Sequence, residues 1–328
     1  MRAVRIHDHG GPEVLSVEDI PRPDPGPNEV LVEVAAAGVN PVDTYFREGS
    51  YTPVGLPFTP GVDVAGTVVA TGSAVETISV DTPVLGTGIG NATHQGAYAE
   101  YAVVPTDRLV SLAGDVDLQT AGAAGVVGCT AWRALVDHAA LDPAESCLVH
   151  GGAGGVGHVA VQIAAAMGAT VITTAAPTYH DTLADLGADV VLDYERDDLA
   201  SAVREAADGG VDVVLDHRLD EYLQFDADVA ATGGRVVGIG ENRPDPGFSD
   251  DGVARSKDVS YHFMSMFNTP DLRDPLGGVA QFMATDRLSV HIADTYPLDA
   301  AAAAQQAVLA MRGLQLLAIS FLTVVSLR

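Results

Sequence analysis

The chain is predicted to be an α/β protein that joins a doubly wound parallel sheet to a barrel-like β domain. Residues 1–105 hold short β-branched runs broken by glycine and proline, the texture of a small barrel. From about residue 118 strands and helices alternate at the spacing that builds parallel sheets. A glycine-rich motif occupies one of the strand-to-helix turns. The 328 residues are too many for one ordinary core and suggest about two domains.

The elements follow in order. Residues 3–6, 14–17 and 30–34 alternate as strands do. Between them PRPDPGP, at 21–27, can be neither helix nor central strand. Short strands continue at 62–69, 82–86 and 98–104. An alanine-rich helix is expected over 120–141. Strands then fall at 146–150, 169–174, 189–192, 211–216 and 234–240, with helices at 156–167, 180–186 and 199–207. Beyond about residue 268 the pattern loosens into a helix at 276–283, a strand or two, a helix at 299–310 and an apolar tail, read as a final strand.

Composition excludes several functions. Acidic residues number 44 against 17 basic ones, a net charge of −27, and Lys257 is the sole lysine. No basic patch for nucleic acid can be assembled from this set. No uncharged apolar run reaches the ~18 residues of a membrane span. The start reads as a strand, with neither apolar leader nor cleavage site, so a cytoplasmic location is expected. Cys129 and Cys147 fit no disulfide framework or metal spacing and read as small buried thiols.

The run GAGGVG over 152–157 fits G-x-G-x-x-G. Alone the pattern is weak; its strength is its place between a strand at 147–150 and a helix, with a second strand at 169–174. In this Rossmann context Gly152 permits a tight turn, Gly154 lets backbone approach a pyrophosphate, and Gly157 lets helix and sheet pack closely. Exposed amides at the helix start meet the phosphate charge. The second strand ends at Thr174 with no acid until Asp181. A ribose 2′-hydroxyl of NAD therefore lacks its usual carboxylate, which leans the reading toward NADP. His180 and Arg196 are the nearest basic candidates.

Four segments resemble the zeta-crystallin-like quinone oxidoreductase branch of the medium-chain dehydrogenase/reductase superfamily: GGPEVL at 10–15, AGVNPVDTY at 37–45, PGVDVAG at 60–66 and LVHGGAGGVG at 148–157. The resemblance implies a GroES-like domain from residues 1–122 and 268–328, with a Rossmann domain over 123–267 inserted. It implies Asn40, Asp43, Tyr45 and Tyr51 lining the substrate pocket. Asn40 could donate to a carbonyl oxygen, and the tyrosines could stack on a planar ring. Asn40–Pro41 reads equally as a turn and Asp43 as a helix N-cap. For the cofactor it implies Thr130 beside the nicotinamide, Ala153, Gly154, Gly155 and Val156 on the pyrophosphate, Thr174 at the strand end and Tyr194 near the adenosine. Gly240, Glu241, Asn242 and the backbone of Met264, Ser265 and Met266 complete it. Zinc-binding relatives carry a cysteine near Asn40 and Gly-His-Glu where this chain has Gly61, Val62 and Asp63, so no metal is expected. A lysine that many relatives place for the 2′-phosphate is absent near Tyr179. The ending over 311–328 departs from the family's usual short one.

The expected activity is NADPH-dependent reduction of a quinone or similar carbonyl acceptor by a homodimer. Reduction of an enone or alkenal, or cofactor binding without catalysis as in crystallins, are the alternatives. The charge adds an expectation of a high-salt cytoplasm of the halophile kind, because a surface this acidic repels itself until counterions screen it. At 1 M salt the Debye length falls to ~3 Å. Thermal unfolding followed from low to molar salt is expected to show a rising Tm; a salt-independent Tm refutes this.

Overall fold

A computed structural model describes residues 1–269, 271–313 and 322–326. The chain divides into two compact units, Met1–Cys129 with Thr269–Arg328, and Thr130–Asn268.

The first unit starts with β1 (Arg2–Arg5) and β2 (Ser16–Asp19), an antiparallel pair. The expected strand at 14–17 begins later because Pro12–Val14 form a 3₁₀ turn, proline at its first position fixing φ. Then come β3 (Glu29–Val39), α1 (Pro41–Glu48), β4 (Asp63–Thr71), β5 (Pro83–Thr87), β6 (Tyr101–Pro105) and β7 (Leu109–Ser111). α2 (Leu118–Trp132) follows and runs on as a wider π-type turn, Arg133–His138, so the helix expected to 141 stops short.

The second unit alternates strand and helix. It contains β8 (Ser146–Val149), α3 (Gly155–Met167), β9 (Thr170–Thr174), α4 (His180–Asp185), β10 (Val190–Leu192), α5 (Leu199–Ala206), β11 (Val211–Asp216), α6 (Leu219–Val229), β12 (Ala230–Gly238), α7 (Asp251–Ser256) and β13 (Ser260–Phe263). Its six parallel strands run in the order β10-β9-β8-β11-β12-β13. That is the doubly wound Rossmann order, with its switch point between β8 and β11. All four residues of β8 are buried, as parallel strands covered on both faces require.

The chain then returns to the first unit with α8 (Arg273–Ala284), β14 (Ile292–Pro297), α9 (Ala301–Gly313) and β15 (Leu322–Ser326). β15 pairs parallel with β14 and antiparallel with β3, closing the sheet order β14-β15-β3-β4-β5-β7, while β6 pairs β3. The strand expected in the tail is thus present at Leu322–Ser326; residues 314–321 and 327–328 lie outside the described residues. Val30, Val32, Val64, Val68, Val84, Tyr98 and Val104 meet Ala301, Ala304 and Val308 in this unit's core.

The sequence reading missed β7, α6, α7 and β13, and touched α1 only in reading Asp43 as a possible N-cap. In α6 the buried positions include Leu219, Leu223, Asp226 and Ala227. The spacing is helical, but a carboxylate at a core position breaks the apolar stripe that would reveal it.

The sole lysine closes α6. Lys257 Nζ donates to the carbonyls of Ala227, Asp228 and Ala230, each at 2.9 Å. The last carbonyls of a helix have no partner within it, and a three-donor ammonium suits the site better than arginine's planar fork. Lys257→Met is expected to cost about 2–3 kcal/mol in urea unfolding, with Lys257→Arg restoring only part of it.

Candidate functional site

The glycine loop lies at the carboxyl end of β8, beside the switch point. The positive φ of the turn falls on Gly151, at 64°, one residue before the glycine to which the sequence reading gave that task. Gly152 serves instead as a contact: a Cβ there would lie 2.0 Å from Thr173 Oγ1. Gly157 is equally constrained, since a Cβ would meet the Gly151 carbonyl at 2.2 Å. Gly154 is different; its Cβ would have only the Gly151 carbonyl in reach, at 3.1 Å, leaving open space above the loop.

Gly154 is the N-cap of α3 and supplies no side-chain cap to the amides of Gly155, Val156 and Gly157. Such amides carry the positive end of the helix dipole and attract an anion. Ala153 is buried in the loop. Two threonines brace it: Thr174 Oγ1 accepts from Gly151 N at 3.1 Å, and Thr173 Oγ1 donates to the Val149 carbonyl at 2.8 Å. The loop therefore fits a dinucleotide diphosphate in both shape and polarity.

The other expected cofactor residues belong to this unit. Thr130 is buried near the end of α2. Tyr194 follows β10, half-buried, with burial pushing its phenol up and Arg218 nearby opposing. The Gly240 carbonyl accepts from Leu219 N at 3.1 Å, Asn242 N donates to Asp220 Oδ1 at 2.8 Å, and Glu241 is exposed. Met264 N donates to the Gly238 carbonyl at 3.0 Å. Arg133 Nη1 donates to the Ser265 carbonyl at 2.7 Å, just before the short turn that begins at Met266. The two basic candidates near the end of β9 are engaged locally. His180 Nε2 donates to the Ala175 carbonyl at 3.1 Å, and Arg196 holds both oxygens of Asp198 at 2.7 and 3.0 Å.

Sequence reasoning passed over His217 and Arg218, which directly follow β11 on the other side of the switch point. His217 packs on the loop so closely that a Cβ on Gly151 would lie 2.7 Å from its Cε1. Arg218 pairs with Glu221, and its Nε is buried with no hydrogen-bond partner among the described residues. Their place after the strand that borders the motif strand was the available signal.

In the first unit, Asn40 is the N-cap of α1 and Asp43 its third helical residue, with Pro41 at the first position. Asp43, read as a possible N-cap, instead accepts from the N-cap residue: Asn40 N donates to Asp43 Oδ2 at 2.8 Å. Val62 N and Tyr98 Oη donate to the same carboxyl at 3.0 and 3.3 Å. Asn40 Nδ2 donates to Asp63 Oδ2 at 2.8 Å. Asp63 also accepts from Thr87 Oγ1 at 2.5 Å and Val126 N at 2.8 Å. Burial pushes both carboxyls up to about 7 against these donors. Asn40 and Asp43 are thus almost wholly enclosed. Tyr45 and Tyr51 meet edge to face at 5.4 Å, Phe46 backs Tyr51 at 5.5 Å, and Tyr51 is 45% exposed. This shelf offers an open aromatic face. Among the described residues no group of three or more His, Cys, Asp or Glu is placed to hold a metal ion.

Residues 26–114 match the alcohol dehydrogenase GroES-like domain and residues 155–274 match the zinc-binding dehydrogenase domain. A quinone oxidoreductase from Sus scrofa is 32% identical over 318 residues, 95% of each chain. The chain belongs to the quinone oxidoreductase-like medium-chain dehydrogenase/reductases. It is an oxidoreductase of that family. A mycobacterial protein solved in complex with NADPH superposes with a TM-score of 0.85 at 31% identity, covering 99% of this chain and 100% of that one. An NAD-dependent alcohol dehydrogenase superposes at 0.91 with 29% identity, covering 100% of both chains. No helix among the described residues is long and apolar enough to cross a membrane.

Proposed function

We propose that the protein reduces quinones or similar carbonyl acceptors with NADPH and without zinc. The observation that carries this reading is the glycine loop with uncapped amides at 155–157, followed by a strand that ends at Thr174 with no carboxylate. A carboxylate there would favour the free 2′-hydroxyl of NAD and repel a 2′-phosphate. The NADPH complex of a relative with 31% identity supports the same cofactor.

Bound NADPH would supply the hydride. The chain's own contribution is to hold and orient. The amides of Gly155, Val156 and Gly157 bind the diphosphate, Arg133 fixes the backbone at Ser265, and Tyr51 offers a planar acceptor a face on which to stack. Asn40 and Val62 stand where zinc-binding relatives carry ligands. Asn40 spends its amide on Asp63, and Val62 is a buried alkyl group, so neither offers a zinc donor. Quinones accept electrons readily, so little acid catalysis is required of the site.

A homodimer is part of the proposal. β13 closes one end of the six-stranded sheet and leaves an open edge, on which Phe263 is 67% exposed. Open edges invite pairing. Sedimentation of Phe263→Asp is expected to show monomer where the unaltered chain shows dimer; equal sedimentation refutes this assignment.

The decisive assay measures NADPH and NADH oxidation against quinones, enones and aldehydes at a salt concentration where the chain is folded. Quinone turnover with NADPH is expected. Tight NADPH binding with no turnover of any acceptor overturns the enzymatic reading, and turnover of enones alone transfers it to C=C reduction. Gly154→Val meets the Gly151 carbonyl at 3.1 Å, so its stability is expected to fall by about 1 kcal/mol while NADPH binding weakens at least tenfold.

A further inference from the structure

The glycine loop lies beside a buried group of ionisable side chains that the proposed reaction does not use. His150 is the residue immediately before the loop. Its Nε2 lies 2.9 Å from Asp226 Oδ1, both side chains being 0% exposed. Its ring stacks on Tyr222 with centroids 4.2 Å apart and planes 4° from parallel. Asp216 ends β11 and is also fully buried, and its Oδ1 accepts from Arg218 N at 2.6 Å. Asp216 Oδ2, Asp226 Oδ2 and His150 Nδ1 are buried with no hydrogen-bond partner among the described residues. The two carboxyls act on one another, and burial pushes Asp216 up to about 7 and holds Asp226 well above the usual carboxylate range. Two carboxyls buried together in a dry site resist ionisation, so below neutral pH the pair holds both its protons.

Every packed element adds a group that faces the pair. β8 contributes His150, which burial holds neutral, down to about 4. The turn after β11 contributes His217 and Arg218, α6 contributes Tyr222, and β13 contributes Tyr261. Arg218 is the one permanent cation among them, and Glu221 engages it. The cluster and the loop are parts of one backbone: His150 adjoins Gly151, and His217, which packs on Gly151, adjoins Asp216.

We infer that the Asp216–Asp226 pair is a proton-dependent positioning site for the nucleotide. With the pair protonated, the amides of the loop face an anionic diphosphate with no opposing charge behind them. When the proton leaves, a negative charge appears beneath the same turn in surroundings of low dielectric, where Coulomb repulsion reaches far. The inference rests on the loop being the dinucleotide site. Linkage fixes the sign. A bound diphosphate raises the pair's affinity for its proton further. Nucleotide affinity is therefore greatest below the free protein's value of about 7, falls as pH rises through it, and levels off above the value in the complex.

The test is direct titration of the full chain with NADPH and with NADH from pH 6 to 9 at one salt concentration. NADH carries no 2′-phosphate, so its curve is free of that group's own titration. Kd for both is expected to rise about three- to tenfold across the range. The double variant Asp216→Asn with Asp226→Asn should bind at the unaltered chain's low-pH affinity throughout. A second readout needs no variant: calorimetry in buffers of different ionisation heat should show net proton uptake on binding near neutral pH. A flat Kd with no proton uptake overturns the inference, as does a slope that survives in the double variant. Failure of both nucleotides to bind at any pH overturns the reading of the loop itself, and is a different outcome from binding that ignores pH.

Discussion

The second unit is organised by a turn that must leave its own amides unpaired. A buried N–H without a partner costs free energy, so a fold keeps such a turn only where something else will meet it. The surrounding residues make the turn rigid. Gly152 and Gly157 are held by contacts that admit no Cβ, and on β9 Thr174 holds the loop at Gly151 while Thr173 holds the end of β8 at Val149. What remains open is the space over Gly154 and the uncapped start of α3. The parallel sheet, the switch point between β8 and β11 and the close packing of α3 all converge on that one opening.

The first unit is held by a different constraint, a carboxylate acting as a hub. Asp63 gathers donors from the N-cap of α1, from β5 and from α2, and Gly38 and Gly125 make room for it, since a Cβ on either would lie 2.7 or 2.3 Å from its oxygens. Removing the acceptor would leave three buried donors without a partner, each costing more than a hydrogen bond contributes. Asn40 and Asp43 belong to the same network. Polar residues grouped near an expected pocket can hold the wall of that pocket rather than line it, and buried donors and acceptors matched one to one are the mark of that task.

Charge takes separate forms on the surface and in the interior. The surplus of 27 negative charges leaves few cations, and those in the second unit are mostly spent on structure: Lys257 on helix carbonyls, Arg235 on Glu145, Arg196 on Asp198. On the proposed reading the glycine loop meets a nucleotide through backbone amides, which need no basic side chain. Inside, four acids at sheet or helix positions, Asp43, Asp63, Asp216 and Asp226, lie where burial favours the protonated form.

The sequence alone determined the alternation of strands and helices and the strand-loop-helix setting of GAGGVG, because those depend on local periodicity and on glycine's lack of a side chain. It also determined the absence of a carboxylate after β9, a matter of residue identity at a strand end. Only the tertiary structure decided that the positive φ falls on Gly151, that Asn40 donates to Asp63, and that His150, Asp216 and Asp226 share one buried site. These depend on which atoms approach from residues 23 to 76 positions away. Periodicity carries no record of such distances. In α6 it even concealed the helix, because Asp226 occupies a core position that only a partner from another strand makes tolerable.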